Sequence, residues 1–169
     1  MITFKSNKPE QDIKKSIFAI FEKMKLLSMA TVDSSDNSPT SWINTAFFAY
    51  TDQMILYILT SPNSIHGKNL QHNDSIAVAV FDSLQQPGNP RQGVQLKGTA
   101  RRITEKNDEV TALNVWWTRM MNKGSFEEFA KKYESFDSKM HSITLDHVKV
   151  FDEPTFGEEV WVTAEITRS

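Results

Sequence analysis

The segment between residues 60 and 70 concentrates side chains that can hold an anionic group. Hydroxyls come first, followed by a histidine, a lysine and an asparagine within about one helical turn: Thr60, Ser61, Ser64, His66, Lys68 and Asn69. The first turn of a helix adds unpaired backbone N–H groups and the positive end of the helix dipole. Together these groups predict a phosphate cradle. The plainer alternative is a capped surface helix whose polar side chains meet solvent.

Two adjacent tryptophans are a second candidate feature. Trp116 and Trp117 fall in a helical segment, with Arg119 shortly after them. Aromatic rings beside an arginine can cover a planar ligand or substrate. Aromatic side chains also dominate cores and interfaces, so helix packing or a dimer contact explains the same pair. Both interpretations also apply to Trp161.

Composition excludes several kinds of site. The chain has 169 residues and no cysteine, which rules out disulfides, thiol nucleophiles, zinc–thiolate sites and iron–sulfur clusters. His66 and His72 point to different faces of a helix, and His141 and His147 are too far apart along one strand to chelate jointly. We therefore expect no metal site. Neither a Gly-x-Gly-x-x-Gly nor a P-loop motif occurs in the sequence.

Charge and hydropathy set the expected environment. The formal net charge is −2, which gives little support to nucleic-acid binding. No apolar run approaches the ~20 residues of a membrane helix, so no membrane partner is expected. The segment Met1–Lys8 lacks the apolar core of a secretory signal. A cytoplasmic protein is the resulting expectation.

Hydrophobic periodicity predicts the elements that must position these side chains. Apolar residues at helical spacing predict a helix over residues 10–27 and another over 105–132, broken near Lys123-Gly124. A short helix is predicted over Ser64–His72, after the break at Pro62. Alternating or β-branched segments predict seven strands, over residues 28–33, 40–50, 53–60, 75–82, 93–104, 142–152 and 159–166.

The connections between these segments indicate an antiparallel fold. Residues 34–38 form a turn cluster, and Thr51-Asp52 predicts a two-residue hairpin turn. A run of short antiparallel strands, with helices inserted late, predicts a barrel or sandwich rather than an alternating βαβ sheet. Because no repeat or boundary is visible, we expect residues 1–169 to form a single domain.

Residues 26–104 resemble the pyridoxamine 5′-phosphate oxidase-related family. The resemblance rests on short segments in the family's order and spacing: Met29–Asp33, Asn44–Tyr50, Thr60–Pro62, Ser64–Leu70 and Val94–Ala100. It implies a mainly β (α+β) fold, an antiparallel split β-barrel with an N-terminal helix and inserted helices. It also implies that FMN binds in a pocket shared by the two subunits of a homodimer.

The resemblance further implies which residues hold the flavin. The second predicted strand passes its backbone along the flavin ring at Asn44, Thr45 and Ala46. The resemblance implies that the phosphate is bound by residues at the end of the third strand and on the following helix: Thr60, Ser61, Ser64, His66, Lys68 and Asn69. Ile65 and His66 stand where the family often has arginine and lysine. Neutralisation of the phosphate charge is therefore expected to be weaker and pH-sensitive.

Two residues on the fifth predicted strand are implied to border the flavin of the partner subunit. These are Gln95 and Lys97, and Lys97 is a candidate, with Lys68, to compensate the missing cations. A simpler explanation is available from strand alternation. Val94 and Leu96 would face the core, so Gln95 and Lys97 would point outward and meet only water.

The implied activity is flavin-dependent oxidoreduction, in which FMN and a small molecule or a reduced nicotinamide exchange electrons. No side chain stands out as a general acid or base. The true oxidase closes with a tryptophan and an Arg-Leu-x-Pro element that contacts its vitamin B6 substrate, whereas residues 160–169 here read VWVTAEITRS. Oxidation of pyridoxamine phosphate is therefore not expected. Three alternatives stay open: a non-catalytic flavin-binding module, a haem-binding relative with an axial histidine, and a dimeric barrel with an empty pocket.

Overall fold

The computed structural model describes residues 2–35, 37–121 and 123–168. Eight strands occur in this part of the chain: β1 (Ile2–Lys5), β2 (Leu26–Asp33), β3 (Thr40–Tyr50), β4 (Ile55–Thr60), β5 (Ser75–Phe81), β6 (Gln92–Arg102), β7 (Lys139–Asp152) and β8 (Trp161–Arg168). Five helices accompany them: α1 (Glu10–Lys23), α2 (Ile65–His72), α3 (Lys106–Met120), α4 (Phe126–Glu134) and α5 (Glu153–Phe156). Asp36, in the predicted turn cluster, and Ser169, at the predicted end, lie outside the described residues.

Six of the strands close into an antiparallel barrel. The order around the barrel is β7-β4-β3-β2-β5-β6, and β6 pairs back to β7. Strands β8 and β1 extend the sheet outward from β7. The predicted split β-barrel, with an N-terminal helix and inserted helices, is confirmed. None of the helices in the described residues has the length and apolar character needed to cross a membrane.

Strand alternation fills the barrel with aliphatic and aromatic side chains. The inward-facing positions of β2, β5, β6 and β7 are buried, and α1 adds Ile13, Ile17, Ile20 and Phe21 to the same core. A second, smaller core lies beneath α3 and α4, around Leu113, Tyr133 and Met140. The inserted helices therefore pack on the barrel as a layer of their own.

The barrel is split where β3 leaves β4. Strand β3 pairs with β2 along residues 40–47, but it pairs with β4 only at Phe48, Ala49 and Tyr50. The opposite edge of residues 40–47 therefore has no strand partner in the described chain. An unpaired strand edge offers backbone N–H and C=O groups to a ligand. This open edge is the feature that positions the candidate site.

Arg119 fastens the end of α3 to the turn between α1 and β2. Its guanidinium donates to the carbonyl oxygens of Phe21 and Met24, at 2.9 Å for Met24, and forms an ion pair with Glu22 at 3.0 Å. The same group stacks on Tyr50 at 4.6 Å from the ring centroid. Because an arginine can cap the exposed carbonyls of a helix end, these contacts fix where α3 lies relative to β3.

Several predicted boundaries differ from the structure. The first helix ends at Lys23, not residue 27, because Met24 is extended and Leu26 already pairs with Phe47 in the sheet. The two-residue hairpin turn is wrong: the loop spans residues 51–54, with Met54 at a φ of 53°. Strand β1 and the short helix α5 were not predicted. The predicted break in the late helix is confirmed, because α3 and α4 are separate.

Candidate functional site

The loop from β4 into α2 is held by a network of short-range hydrogen bonds. Ser64 caps α2: its Oγ accepts the N–H of Gly67 at 3.1 Å and donates to the carbonyl oxygen of Ser61 at 2.6 Å. Gly67 lies so close to the loop that an added Cβ would stand 2.1 Å from the Ser61 carbonyl oxygen. The hydroxyl of Ser64 is thus used within the loop, in agreement with the simpler capping interpretation.

A carboxylate lies against the same loop. Asp137, in the connection between α4 and β7, accepts hydrogen bonds from the Ser61 hydroxyl and from Asn63 Nδ2, the latter at 3.2 Å. The Ser61 Oγ also accepts the backbone N–H of Asn63 at 3.2 Å. One donor of the predicted phosphate cradle, the Ser61 hydroxyl, therefore already faces a negative charge, as does the neighbouring Asn63 amide. Local sequence patterns do not predict these contacts, because Asp137 is 76 positions from Ser61 and 74 positions from Asn63.

Buried polar atoms without partners lie at the split. The amide of Asn44 is buried, and neither its oxygen nor its nitrogen has a hydrogen-bond partner; the buried Thr60 Oγ1 is also unpartnered. Asn44 lies opposite Met29, a core residue, so it is on the inward face of β3. On that face, Phe48 of β3 stands opposite Ile58 of β4. If the same pairing continued for two more residues, Thr60 would stand opposite Ala46. Both unpartnered groups therefore belong to the end where β3 and β4 diverge.

The neighbouring Asn69 is satisfied by the protein itself. It is buried, and its Nδ2 donates to Thr31 Oγ1 at 3.1 Å. Asn69 therefore holds α2 against β2. Thr45 is exposed on the other face of β3, and Lys68 is exposed on α2. Of the predicted ring-contacting residues, the structure places Asn44 and Ala46 on the inner face and turns the Thr45 side chain away.

Two histidines approach the loop from different elements. His66 is half-buried on α2, and His141 is buried on β7, opposite Ile58. His141 Nδ1 lies 3.0 Å from the carbonyl oxygen of Lys139, which fixes the proton on that nitrogen. Burial lowers the pKa of both rings below 6.5, so near pH 7 they are neutral. In the sequence, His141 stands out only as a possible metal-site partner of His147, at a spacing too long for joint chelation.

We expect acid to destabilise the fold through these two rings. The unfolded chain binds a proton on each with a pKa near 6.5, whereas the folded rings resist protonation until lower pH. Their contribution to the free energy of unfolding is complete above pH 6.5 and falls as the pH drops below it. Thermal unfolding of the wild type between about pH 7 and about pH 5.5 should show this fall.

The His141→Gln variant is the informative comparison. It should lose part of the acid-dependent drop in Tm, whereas His147→Gln, which changes an exposed ring, should retain the whole drop. An unchanged drop in His141→Gln would show that the acid sensitivity comes from other groups.

The outer face of the sheet forms a separate surface, which we call the outer apolar face. It consists of outward-facing residues on β2, β3 and β5: Leu26, Ala30, Ile43, Phe47, Ala77, Ala79 and Phe81. The larger side chains are strongly exposed, and Ile43 is the most exposed of them at 67%. Two polar side chains, Ser28 and Thr45, lie on the same face between the apolar ones. A largely apolar exposed surface of this kind is typical of interaction sites.

Gln95 and Lys97 lie beside the outer apolar face and not at the split. They are exposed and stand opposite Ala79 and Ala77. On their other side they line a groove of about 500 Å³ together with His147 and Lys149. Within one chain, Lys97 therefore lies apart from Lys68 and His66, which are on α2. The predicted outward alternation of Gln95 and Lys97 is confirmed.

The tryptophan pair packs between the inserted helices. Trp116 stacks on Phe129 with ring centroids 6.2 Å apart, and Trp117 meets Phe126 edge-on at 5.8 Å. Trp116 Nε1 also donates to the carbonyl oxygen of Phe47 at 3.3 Å, on the open edge of β3. Helix packing is therefore the observed role of the pair. One of the two rings additionally closes one end of the open edge.

Solved structures with the same fold support this description. A haem-binding protein from Mycobacterium smegmatis aligns with a TM-score of 0.67 at 17% identity, and the alignment covers 94% of this chain but only 59% of that protein. The haem storage protein HutZ from Vibrio cholerae aligns with a TM-score of 0.61 at 16% identity, covering 78% of this chain and 88% of HutZ. At these identities the likeness shows the fold alone.

A third neighbour carries a family description. It is a Clostridium acetobutylicum protein related to general stress protein 26 of B. subtilis, of the pyridoxinephosphate oxidase family, with a TM-score of 0.62, 12% identity and coverage of 93% and 96%. A search of the curated proteins finds no match. The family model described as pyridoxamine 5′-phosphate oxidase matches residues 13–151, which is most of the chain. With the split barrel in place, this match shows that the chain belongs to the pyridoxamine 5′-phosphate oxidase family.

Proposed function

We propose that this chain is a flavoprotein that binds FMN at the split between β3 and β4, as a homodimer. The observation that carries the proposal is the pair of unpartnered buried groups at the split, on Asn44 and Thr60. A buried polar atom without a partner costs the fold about 1–3 kcal/mol, and each one in a native structure calls for an explanation. A planar ligand with hydrogen-bonding edges, such as a flavin ring, would satisfy them.

The open edge of β3 supplies the backbone side of the same site. Residues 44–46 pair with β2 on one side only, so their remaining N–H and C=O groups point into the split. The start of α2 lies next to the end of β4, where a phosphate would meet the first N–H groups of a helix. The chain thus offers the ring and the phosphate different groups.

The second subunit would complete the pocket. Pairing of two outer apolar faces buries the exposed side chains of β2, β3 and β5, and in a symmetric dimer each subunit contributes the same patch. Gln95 and Lys97 border that face, so they would reach the partner's site and not their own. In such a dimer, the predicted residues at the split of one subunit would meet Gln95 and Lys97 of the other, although the two groups lie apart within a single chain.

A bound flavin would supply the redox chemistry, and the protein would hold and orient it. We propose electron transfer from a reduced nicotinamide or small molecule to the flavin and on to an acceptor. Vitamin B6 phosphate is not the proposed substrate. Arg168 donates to the carbonyl oxygen of Leu145, so its side chain is tied to β7.

A haem-binding function is the second candidate. His141 holds one ring nitrogen on a backbone carbonyl, which is the arrangement that orients a metal-binding imidazole. The similarity to the haem-binding protein from Mycobacterium smegmatis extends to the fold alone. The absorption spectrum of the protein after incubation with FMN or haemin separates the two functions, because bound flavin gives two visible bands and bound haem gives a Soret band. A protein that shows neither spectrum would be a barrel that binds neither flavin nor haem.

Removing the unpartnered polar groups should weaken flavin binding without weakening the fold. In an Asn44→Leu, Thr60→Val double variant, we expect FMN affinity to fall at least about tenfold, because each lost hydrogen bond contributes roughly 0.5–1.5 kcal/mol. The Tm should stay level or rise, since buried unsatisfied groups disappear. Flavin fluorescence titration and thermal unfolding measure the two effects.

Thr31→Val is the matched control for Thr60→Val. Both threonines are buried on strands, but the Thr31 hydroxyl is paired with Asn69. Thr31→Val should therefore lower the Tm. A double variant that loses stability and keeps its flavin would contradict the assignment of Asn44 and Thr60 to the ligand.

A further inference from the structure

The β4–α2 loop holds its hydroxyls and amides in a pattern that opposes an anion. The Ser61 hydroxyl proton and the Asn63 amide both point at the carboxylate of Asp137, and the Ser64 hydroxyl proton points at the Ser61 carbonyl. A phosphate placed at this loop would use those same side-chain protons in addition to the backbone N–H groups at the start of α2. It would therefore compete with Asp137 for Ser61 and Asn63.

The cations of the same region do not offset this carboxylate. Lys139, two residues after Asp137, donates to the carbonyl oxygen of Phe136 at 2.7 Å and lies 5.3 Å from the centroid of the Tyr133 ring. His66 is half-buried and carries no arginine or lysine beside it at Ile65. Lys68 is exposed on α2 and Asp137 is exposed in its own loop, so solvent screens both charges, and the donors that Asp137 occupies carry most of its effect.

We propose that Asp137 is a specificity-determining residue that weakens the binding of a flavin phosphate, so that this site discriminates little between FMN and riboflavin. The inference rests on the flavin site proposed above and concerns the tail of the ligand and not its ring. Asp137 acts in two ways: its charge repels a phosphate, and its oxygens occupy the hydroxyl and amide donors that the phosphate would use.

The test compares FMN with riboflavin in the wild type and in Asp137→Asn. Asparagine keeps an acceptor for Ser61, so the loop can retain its shape, but it removes the charge. We expect FMN affinity to rise about tenfold and riboflavin affinity to stay within about twofold, because only FMN carries the phosphate. The ratio of the two affinities is the readout, since a merely structural change would alter both ligands together.

Asp52→Asn is the matched control. Asp52 is exposed in the loop between β3 and β4, at the far end of β4 from the site, so the substitution removes one negative charge elsewhere. It should leave the ratio unchanged. If the wild type binds flavin and Asp137→Asn leaves the ratio of FMN to riboflavin affinity unchanged, the inference is overturned. The proposed function would then still stand.

Inorganic phosphate tests the loop independently of any flavin. In Asp137→Asn, millimolar phosphate should raise the Tm, whereas the wild type and Asp52→Asn should show no shift beyond that of chloride at equal ionic strength. If no variant binds either flavin, the proposed function fails, and the phosphate experiment still decides the role of Asp137. The absence of a phosphate shift in Asp137→Asn would overturn it.

Discussion

The Ile43→Glu variant is expected to be a monomer under conditions in which the wild type is a dimer, and to lose its flavin. Ile43 is 67% exposed on the outer apolar face, so the glutamate costs the isolated subunit little. In a symmetric dimer the substitution buries two unpaired carboxylates at once. Each such charge costs several kcal/mol, so the dissociation constant should rise by at least roughly a hundredfold.

Light scattering and flavin fluorescence on the same samples measure the two effects. Leu84→Glu is the control, because Leu84 is 78% exposed but belongs to the loop after β5 and is not one of the residues of the outer apolar face. It should remain dimeric and bind flavin. A wild-type monomer at micromolar concentration with FMN present would remove the basis for a pocket shared by two subunits.

The Gly67→Ala variant is expected to lose both flavin binding and stability. Its Cβ would lie 2.1 Å from the Ser61 carbonyl oxygen and 3.0 Å from the Pro62 Cα, and neither backbone atom can move without the loop. The shift breaks the Ser64 hydrogen bonds that cap α2 and moves Thr60 and Ser61 relative to β3. We expect a loss of about 2–4 kcal/mol in the free energy of unfolding, as for other overpacked sites with a lost cap.

Two control variants separate the effect of the steric clash at Gly67 from the effects of a lost helix cap and of a glycine substitution elsewhere. Ser64→Ala removes the cap without the clash and should cost only about 1 kcal/mol. Gly88→Ala imposes a strained backbone at a φ of 86°, in a loop with open space around it, and should leave flavin binding intact. If Gly67→Ala binds flavin as the wild type does, the β4–α2 loop is not part of the ligand site. Urea unfolding and flavin titration provide both measurements.

Much of the barrel could be predicted because its strands carry local signals. Alternation in residues 75–81 and 93–100 places one side chain in the core and the next outside, and the structure reproduces this pattern. The end of α1 could not be predicted in the same way. Apolar residues continue at helical spacing to Leu27, and only the pairing of Leu26 with Phe47 turns this segment into a strand.

The chemistry of the candidate site was harder to predict than its position. The segment Thr60–Asn69 indicated a helix start with donors, and in the structure Ser64 caps that helix. The contacts that decide its chemistry come from residues distant in sequence, namely Asp137 and His141. Arg119, which fixes α3, likewise acts across nearly a hundred positions of the chain, on Phe21 and Met24. Local periodicity carries no information about such partners.

Strand β7 has a consequence for how the chain folds. One edge of β7 pairs with β6 over nearly its whole length, and the other pairs first with β4 and then with β8. The barrel therefore cannot close before residues 139–145 are available, and these follow the two inserted helices. Pairings between strands so distant in sequence close slowly. Until β7 arrives, β4 and β6 present unpaired edges to neighbouring chains, and aggregation competes with folding at that stage.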